Sequence, residues 1–153
     1  MSIKKVVQIG NEILRQKCLP VTAFDGELHQ LLDDMKETVR AEQGAGLAAP
    51  QIGDNRRIVV CDVEEGFFEL VNPTFISQKG VQDGAEGCLS VKGKHGFVKR
   101  PNKVKISYYD RFGEQHRLEA RDFFARCICH ELDHLDGILY VDKAYRVEQD
   151  EEE

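Results

Sequence analysis

One segment constrains the architecture of this chain more than any other. Between Ala120 and Leu135 the apolar residues Phe123, Phe124, Cys127, Ile128, Leu132 and Leu135 recur at helical spacing, and His130-Glu131-Leu132-Asp133-His134 lies inside the same run. Residues four apart share one face of an α-helix, so both imidazoles project from one edge with the Glu131 carboxylate beside them. The helix must therefore be largely buried, with its polar edge facing a sheet or a cleft. Two histidines one turn apart can hold a single cation, and the neighbouring carboxylate can hold a proton close to it. The same spacing also occurs on ordinary solvated helices, so the surrounding residues decide its meaning.

A metal needs a third protein ligand, and the frame His-Glu-x-x-His-x-x-Gly-x-x-His supplies one downstream. Gly137 fits that frame, but Tyr140 stands at its last position and no histidine follows His134. Asp136 and Asp142 are acidic alternatives with little remaining chain to position them. An upstream ligand is expected instead. Cys88 stands out because it lies in Glu86-Gly87-Cys88-Leu89-Ser90, a polar, glycine-containing segment rather than an apolar strand. Cys61 sits in the apolar Ile58-Val59-Val60-Cys61, and Cys127 and Cys129 lie on the long helix, where small buried thiols are common. Cys18 carries no signal. On residues alone, a small metallopeptidase and a closed structural zinc site that recruits Cys127 or Cys129 stay open.

The chain has 153 residues, enough for one domain with a real core and too few for two. Hydrophobic residues at 41% and charged residues at 31% argue against wholesale disorder. A net charge of −6 argues against a nucleic-acid groove or an anionic membrane surface as partner. Met1 to Gly10 holds two lysines but no long apolar run, so neither a secretory signal nor a transmembrane helix is expected, and the cytoplasm is the expected location. Five cysteines, an odd number, fit reduced thiols better than a disulfide framework.

Phe24, Leu28, Leu31, Leu32, Met35 and Val39 predict an N-terminal amphipathic helix to about Arg40, with Asp25 as N-cap and Gly44 as stop. Short strands are expected at Arg57 to Val63, Phe67 to Asn72 and Phe75 to Gln78, separated by turns at Glu65-Gly66 and Asn72-Pro73. Val104, Ile106 and Tyr108 alternate with polar residues, and Gln115 to Leu118 returns antiparallel after a turn at Asp110 to Gly113. Residues 1–147 read as a single catalytic domain, and Glu148 to Glu153 as a solvated, frayed acidic tail. His29, His95 and His116 show no evident partners and read as surface.

Three segments together, in order along nearly the whole chain, carry a resemblance: Gly44-Ala45-Gly46-Leu47-Ala48-Ala49-Pro50-Gln51, Glu86-Gly87-Cys88-Leu89-Ser90 and the His130 to His134 pentapeptide. The chain resembles the peptide deformylase family. That resemblance implies an α+β fold, with antiparallel β-sheets around a central metal-bearing helix. The activity it implies is hydrolysis of the N-terminal formyl group from formyl-methionine of newly made polypeptides, with release of formate. Cys88, His130 and His134 would then hold one divalent metal, Fe(II) physiologically, with zinc, nickel or cobalt as substitutes.

The same resemblance makes Glu131 the proton carrier and gives the Gln51 side-chain amide and the Leu89 backbone N–H to the developing oxyanion. Gly46 would hold the substrate chain extended, Phe123 and Cys127 would line the methionine pocket, and Arg100 would contact the peptide further along; core packing for Phe123 and a solvated side chain for Arg100 are the alternative readings. Asp133 is a candidate to orient a ligand. Ala45 is small where the family often has a larger aliphatic residue, which would widen the pocket entrance. The implied partners are N-formylmethionyl nascent polypeptides, with room for transient ribosome contact, no direct nucleic-acid site, no membrane, and a monomeric chain. Some family members carry a long C-terminal helix, which this short tail does not supply.

Overall fold

The computed structural model of the chain describes residues 2–151. In chain order its elements are α1 (Gly26–Ala41), β1 (Gly46–Ala48), β2 (Ile58–Val63), β3 (Gly66–Lys79), β4 (Gln82–Cys88), β5 (Val91–Arg100), β6 (Lys103–Tyr109), β7 (Gln115–Arg121), α2 (Asp122–His134), α3 (Tyr140–Lys143) and β8 (Arg146–Gln149). The strands form a five-stranded sheet, ordered β1-β2-β3-β6-β7, and a three-stranded sheet, ordered β4-β5-β8. All the pairings within them are antiparallel.

Strand β2 shows why helices cover both faces of the larger sheet. Successive side chains on a strand point to opposite faces. Ile58 and Val60 pack with Leu28, Leu32, Met35 and Val39 of α1, whereas Val59 and Cys61 pack with Phe124, Ile128 and Leu132 of α2. Its continuous apolar run is thus that of a strand buried on both sides. Each buried side chain of this size contributes about 1.5–3 kcal/mol, so packing rather than propensity fixes both helices. Asp25 caps α1 by accepting from the Leu28 N–H at 3.1 Å.

Helix α2 contacts strands of both sheets, including β1, β2 and β5. It follows β7 without a loop. Asp122 takes up the change of direction at φ 55°, in the left-handed region that aspartate tolerates better than most residues. The smaller sheet can therefore bring its β4–β5 hairpin against the helix that carries the two histidines.

Three segments depart from the sequence reading. The turn expected at Asn72-Pro73 is a bulge inside one continuous strand, with register shifts between Val71 and Thr74. Asn72 adopts φ 49°, and its side chain accepts from the Val21 N–H at 2.8 Å and donates to the Val21 carbonyl at 2.9 Å. The polar, glycine-containing segment around Cys88, set apart from the apolar strands, belongs to a strand hairpin, β4–β5. The acidic run assigned to a frayed tail is partly ordered: Glu148 and Gln149 pair with His95 and Lys94. Glu152 and Glu153 lie outside the described residues.

Candidate metal centre and cleft

Cys88 ends β4, and His130 and His134 lie one turn apart on α2. One ligand atom from each of the three lies within 4.8 Å of the others, and Cys88 Sγ is 3.4 Å from His134 Nε2. His130 and His134 are buried, at 7% and 1% exposure.

A carboxylate fixes which way His130 faces. Glu86 Oε1 lies 2.8 Å from His130 Nδ1, and Arg100 and Arg126 both donate to the same carboxylate. Burial pushes the Glu86 carboxyl up, but the Arg100 and His130 hydrogen bonds outweigh it and hold its pKa at about 2. An ionised carboxylate only accepts, so Nδ1 carries a hydrogen toward Glu86 and Nε2 is the nitrogen turned toward Glu131. His134 is held neutral, its pKa pushed well below the usual value by burial and then by His130. Two imidazole nitrogens and a cysteine sulfur are the donor set expected of a transition-metal or zinc site, and a three-ligand set leaves a position open for chemistry. The residues fit a metal.

Glu131 is 4% exposed, and burial raises its carboxyl to a pKa of about 7. Its Oε1 is buried without a hydrogen-bond partner among the described residues, and its Oε2 is 3.9 Å from His130 Nε2. A carboxyl so placed can exchange a proton near neutral pH. Gly46 is the condition for this arrangement. A Cβ there would sit 2.7 Å from Glu131 Oε2 and 2.8 Å from Cys127 Sγ, closer than atoms can pack.

Gln51 lies in a 3₁₀ turn just after β1 and is 1% exposed. The Ala48 N–H donates to its side-chain oxygen at 2.9 Å, which settles the amide orientation. The NH₂ therefore faces Ser90 Oγ at 3.0 Å and Cys88 Sγ at 3.6 Å. These groups open onto a cleft of about 380 Å³, lined by Gly46, Gln51, Cys88, Leu89, Cys127 and Glu131, with Phe123 at its mouth. Phe123 is 58% exposed while Cys127 is buried, its thiol 3.4 Å from the Ala45 carbonyl.

The sequence model of the family described as polypeptide deformylase matches residues 3–150, nearly the full chain. The chain belongs to the peptide deformylase family. The peptide deformylase of Thermoanaerobacter pseudethanolicus is 50% identical over 152 residues, covering 99% of this chain and 96% of that one. The crystal structure of peptide deformylase from Thermotoga maritima matches with a TM-score of 0.92 at 33% identity, over 94% of this chain and 99% of that one. A Met-Ala-Ser-bound peptide deformylase from Acinetobacter baumannii matches with a TM-score of 0.89 at 33% identity, over 92% and 99%. The fold is that of the family, helices mixed with antiparallel sheets, and the activity is metal-dependent hydrolytic removal of the N-terminal formyl group from new polypeptides.

Within this deformylase fold most of the expected site residues gather at one place, but Arg100 does not. Its guanidinium is 3% exposed and engaged by Glu86 at 2.8 and 2.9 Å and by Asp133 at 2.7 Å, away from the cleft lining. A buried cation is stable only when so paired, and none of its charge is left for a peptide. Asp133 touches no histidine directly; it holds Arg100, which holds Glu86. The downstream acids are also engaged elsewhere, Asp136 with Arg57 and Asp142 with Arg15. Cys127 and Cys129 are not in the ligand cluster, and all five cysteines are free thiols.

Sequence reasoning gave no role to Glu86, Ser90 or Arg126. For the first two a signal existed, since both stand in the quoted Cys88 segment as polar residues among glycines. His29, His95 and His116 were read as lacking partners, yet they meet the Arg111 carbonyl at 2.8 Å, Asp150 at 2.6 Å and Asp110 at 2.6 Å.

Proposed function

We propose that residues 1–147 act as a single catalytic domain in which Cys88, His130 and His134 hold one divalent metal on the central helix α2. Fe(II) is the expected physiological ion, with zinc, nickel or cobalt able to replace it, because a thiolate beside two imidazoles suits each of these borderline cations. The observation that carries this reading is the convergence of those three ligand atoms within 4.8 Å, beside the buried Glu131. When bound, the metal supplies Lewis acidity, polarising the formyl carbonyl and acidifying water in the site.

The protein's own groups do the rest. Glu131 takes the proton of the attacking water and returns it to the amine nitrogen, which leaves poorly unless protonated. The raised pKa of this carboxyl, about 7, suits a group that must both accept and donate. The negative charge that develops on the formyl oxygen is met by the Gln51 NH₂ and the Leu89 N–H, donors of a type worth about 10²–10³ in rate each. The peptide lies extended along Gly46, and the methionine side chain occupies the cleft by Cys127 and Phe123. Ala45 widens its entrance. A formyl carbon bears only hydrogen, so the narrow space between Gly46 and Glu131 selects it over larger acyl groups and internal peptide bonds.

The substrates are N-formylmethionyl nascent chains, met by a cytoplasmic monomer with transient ribosome contact. No helix among the described residues is long and apolar enough to cross a membrane. The test is formate release from a formyl-Met peptide under anaerobic conditions, compared with an acetyl-Met peptide, alongside metal analysis of the Glu131→Ala variant. Retained metal with turnover down by about 10²–10⁴ is expected. Undiminished turnover removes Glu131 from the mechanism.

A further inference from the structure

Arg126 has no assigned part in the chemistry, yet it is 5% exposed and makes three contacts that cross between elements. Its Nη1 donates to Glu86 Oε2 at 2.6 Å, to the Val98 carbonyl at 3.0 Å and to the Gly84 carbonyl at 3.4 Å. Gly84 and Val98 face each other directly in the β4–β5 register, so one guanidinium grips both strands of the hairpin at the same rung. Gly84 is suited to this approach, because a Cβ there would lie only 3.2 Å from Arg126 Nη2.

The ends of this clamp matter. Arg126 is on α2 four residues before His130, on the same helix face. Glu86 is on β4 two residues before Cys88 and itself reaches His130 Nδ1 at 2.8 Å. We propose that Arg126 is a positioning residue that bolts the hairpin carrying Cys88 to the helix carrying His130 and His134, and so sets the spread of the three ligand atoms. Arg100 grips Glu86 from within the hairpin and reaches the far end of α2 through Asp133, which Lys143 shares at 2.9 Å. Arg126 binds main-chain carbonyls that no side-chain rotation can withdraw.

The inference rests on the Cys88, His130 and His134 metal site proposed above, and its test separates the two. Co(II) is loaded into apo protein, and the thiolate-to-metal charge-transfer band and the rate of release to excess chelator are recorded. Arg126→Met, close in length and apolar, is expected to release Co(II) about ten to a hundred times faster, the range seen when groups behind metal ligands are lost. Its thiolate band should shift and weaken. Arg126→Lys keeps the charge but falls short of both carbonyls, and an intermediate release rate is expected. Met35→Ala, in the α1 core on the opposite face of the sheet, destabilises the fold and should leave band and release rate unchanged.

Wild-type spectrum and release from Arg126→Met, or an equal acceleration in Met35→Ala, overturns the proposal. If Arg126→Met does not fold, Arg126→Lys decides, and a wild-type release rate from it overturns the proposal. Absence of any thiolate band in the wild-type protein instead overturns the metal-site reading, and the role of Arg126 falls with it.

Discussion

Glu86 Oε1 lies 2.8 Å from His130 Nδ1, and this one hydrogen bond decides which imidazole nitrogen is offered to the cleft. The carboxylate also neutralises two buried guanidiniums, of Arg100 and Arg126. Removing it with Glu86→Ala strands the Arg126 cation and leaves Arg100 only Asp133, and breaking a buried pair by deleting one partner costs about 3–5 kcal/mol. Urea unfolding of the metal-free variant should show a loss of that order, and metal affinity should fall about ten- to a hundredfold. A metal-free protein as stable as wild type would show that the arginines find other partners.

Gly46→Ala tests the site from its other wall. The added methyl meets Glu131 Oε2 at 2.7 Å and Cys127 Sγ at 2.8 Å, and one of them must move. Displacing a reacting group by about 1 Å can cost about a hundredfold in rate. Steady-state kinetics on a formyl-Met peptide should show kcat falling on that scale. Metal content should hold near wild type, because neither displaced group belongs to the proposed ligand set of Cys88, His130 and His134.

These two cases show what the sequence could and could not disclose. The apolar periods of α1 and α2 and the run Ile58 to Cys61 were legible because burial of one face leaves a local pattern. The cluster of Cys88, His130 and His134 was legible because motifs carried it. Arg100 was misread because its partners lie 14 and 33 residues away, at Glu86 and Asp133, and nothing local announces them. The β4–β5 hairpin was left unassigned because its polar, glycine-containing sequence leaves no apolar strand pattern. In the fold, Gly84 and Gly96 make room for Arg126 and Tyr140, partners that only the tertiary structure supplies.

Asn72 makes a prediction about stability alone. Its positive φ costs a residue with a plain Cβ about 1–2 kcal/mol, and its amide satisfies both the N–H and the carbonyl of Val21. Leaving such groups unmet costs about 1–3 kcal/mol. Asn72→Ala should lose on both counts, while Asn72→Gly should recover the backbone part and not the hydrogen bonds. Urea midpoints in the order wild type, glycine, alanine would bear this out; alanine equal to glycine would mean that the bulge carries no strain.

His95 ties the last strand to the smaller sheet in a pH-dependent way. On β5, paired with Glu148 of β8, its ring meets Asp150 at 2.6 Å and Glu148 at 3.2 Å. The Asp150 hydrogen bond, reinforced by Glu148 against a smaller desolvation effect, raises its pKa above the usual 6.5. A group whose folded pKa is raised contributes stability that is fully present below the unfolded value and lost as pH rises through the folded one. The attachment of β8 should therefore be firm at about pH 6 and loosen across the window above about 6.5. Amide hydrogen-exchange protection of β8, corrected for intrinsic rates, should fall between pH 6 and 8.5 relative to that of β6, which lies in the other sheet. In His95→Gln, whose side chain does not titrate, the ratio should stay flat across the same range. A wild-type ratio that is equally flat would show that the histidine charge does not hold the strand.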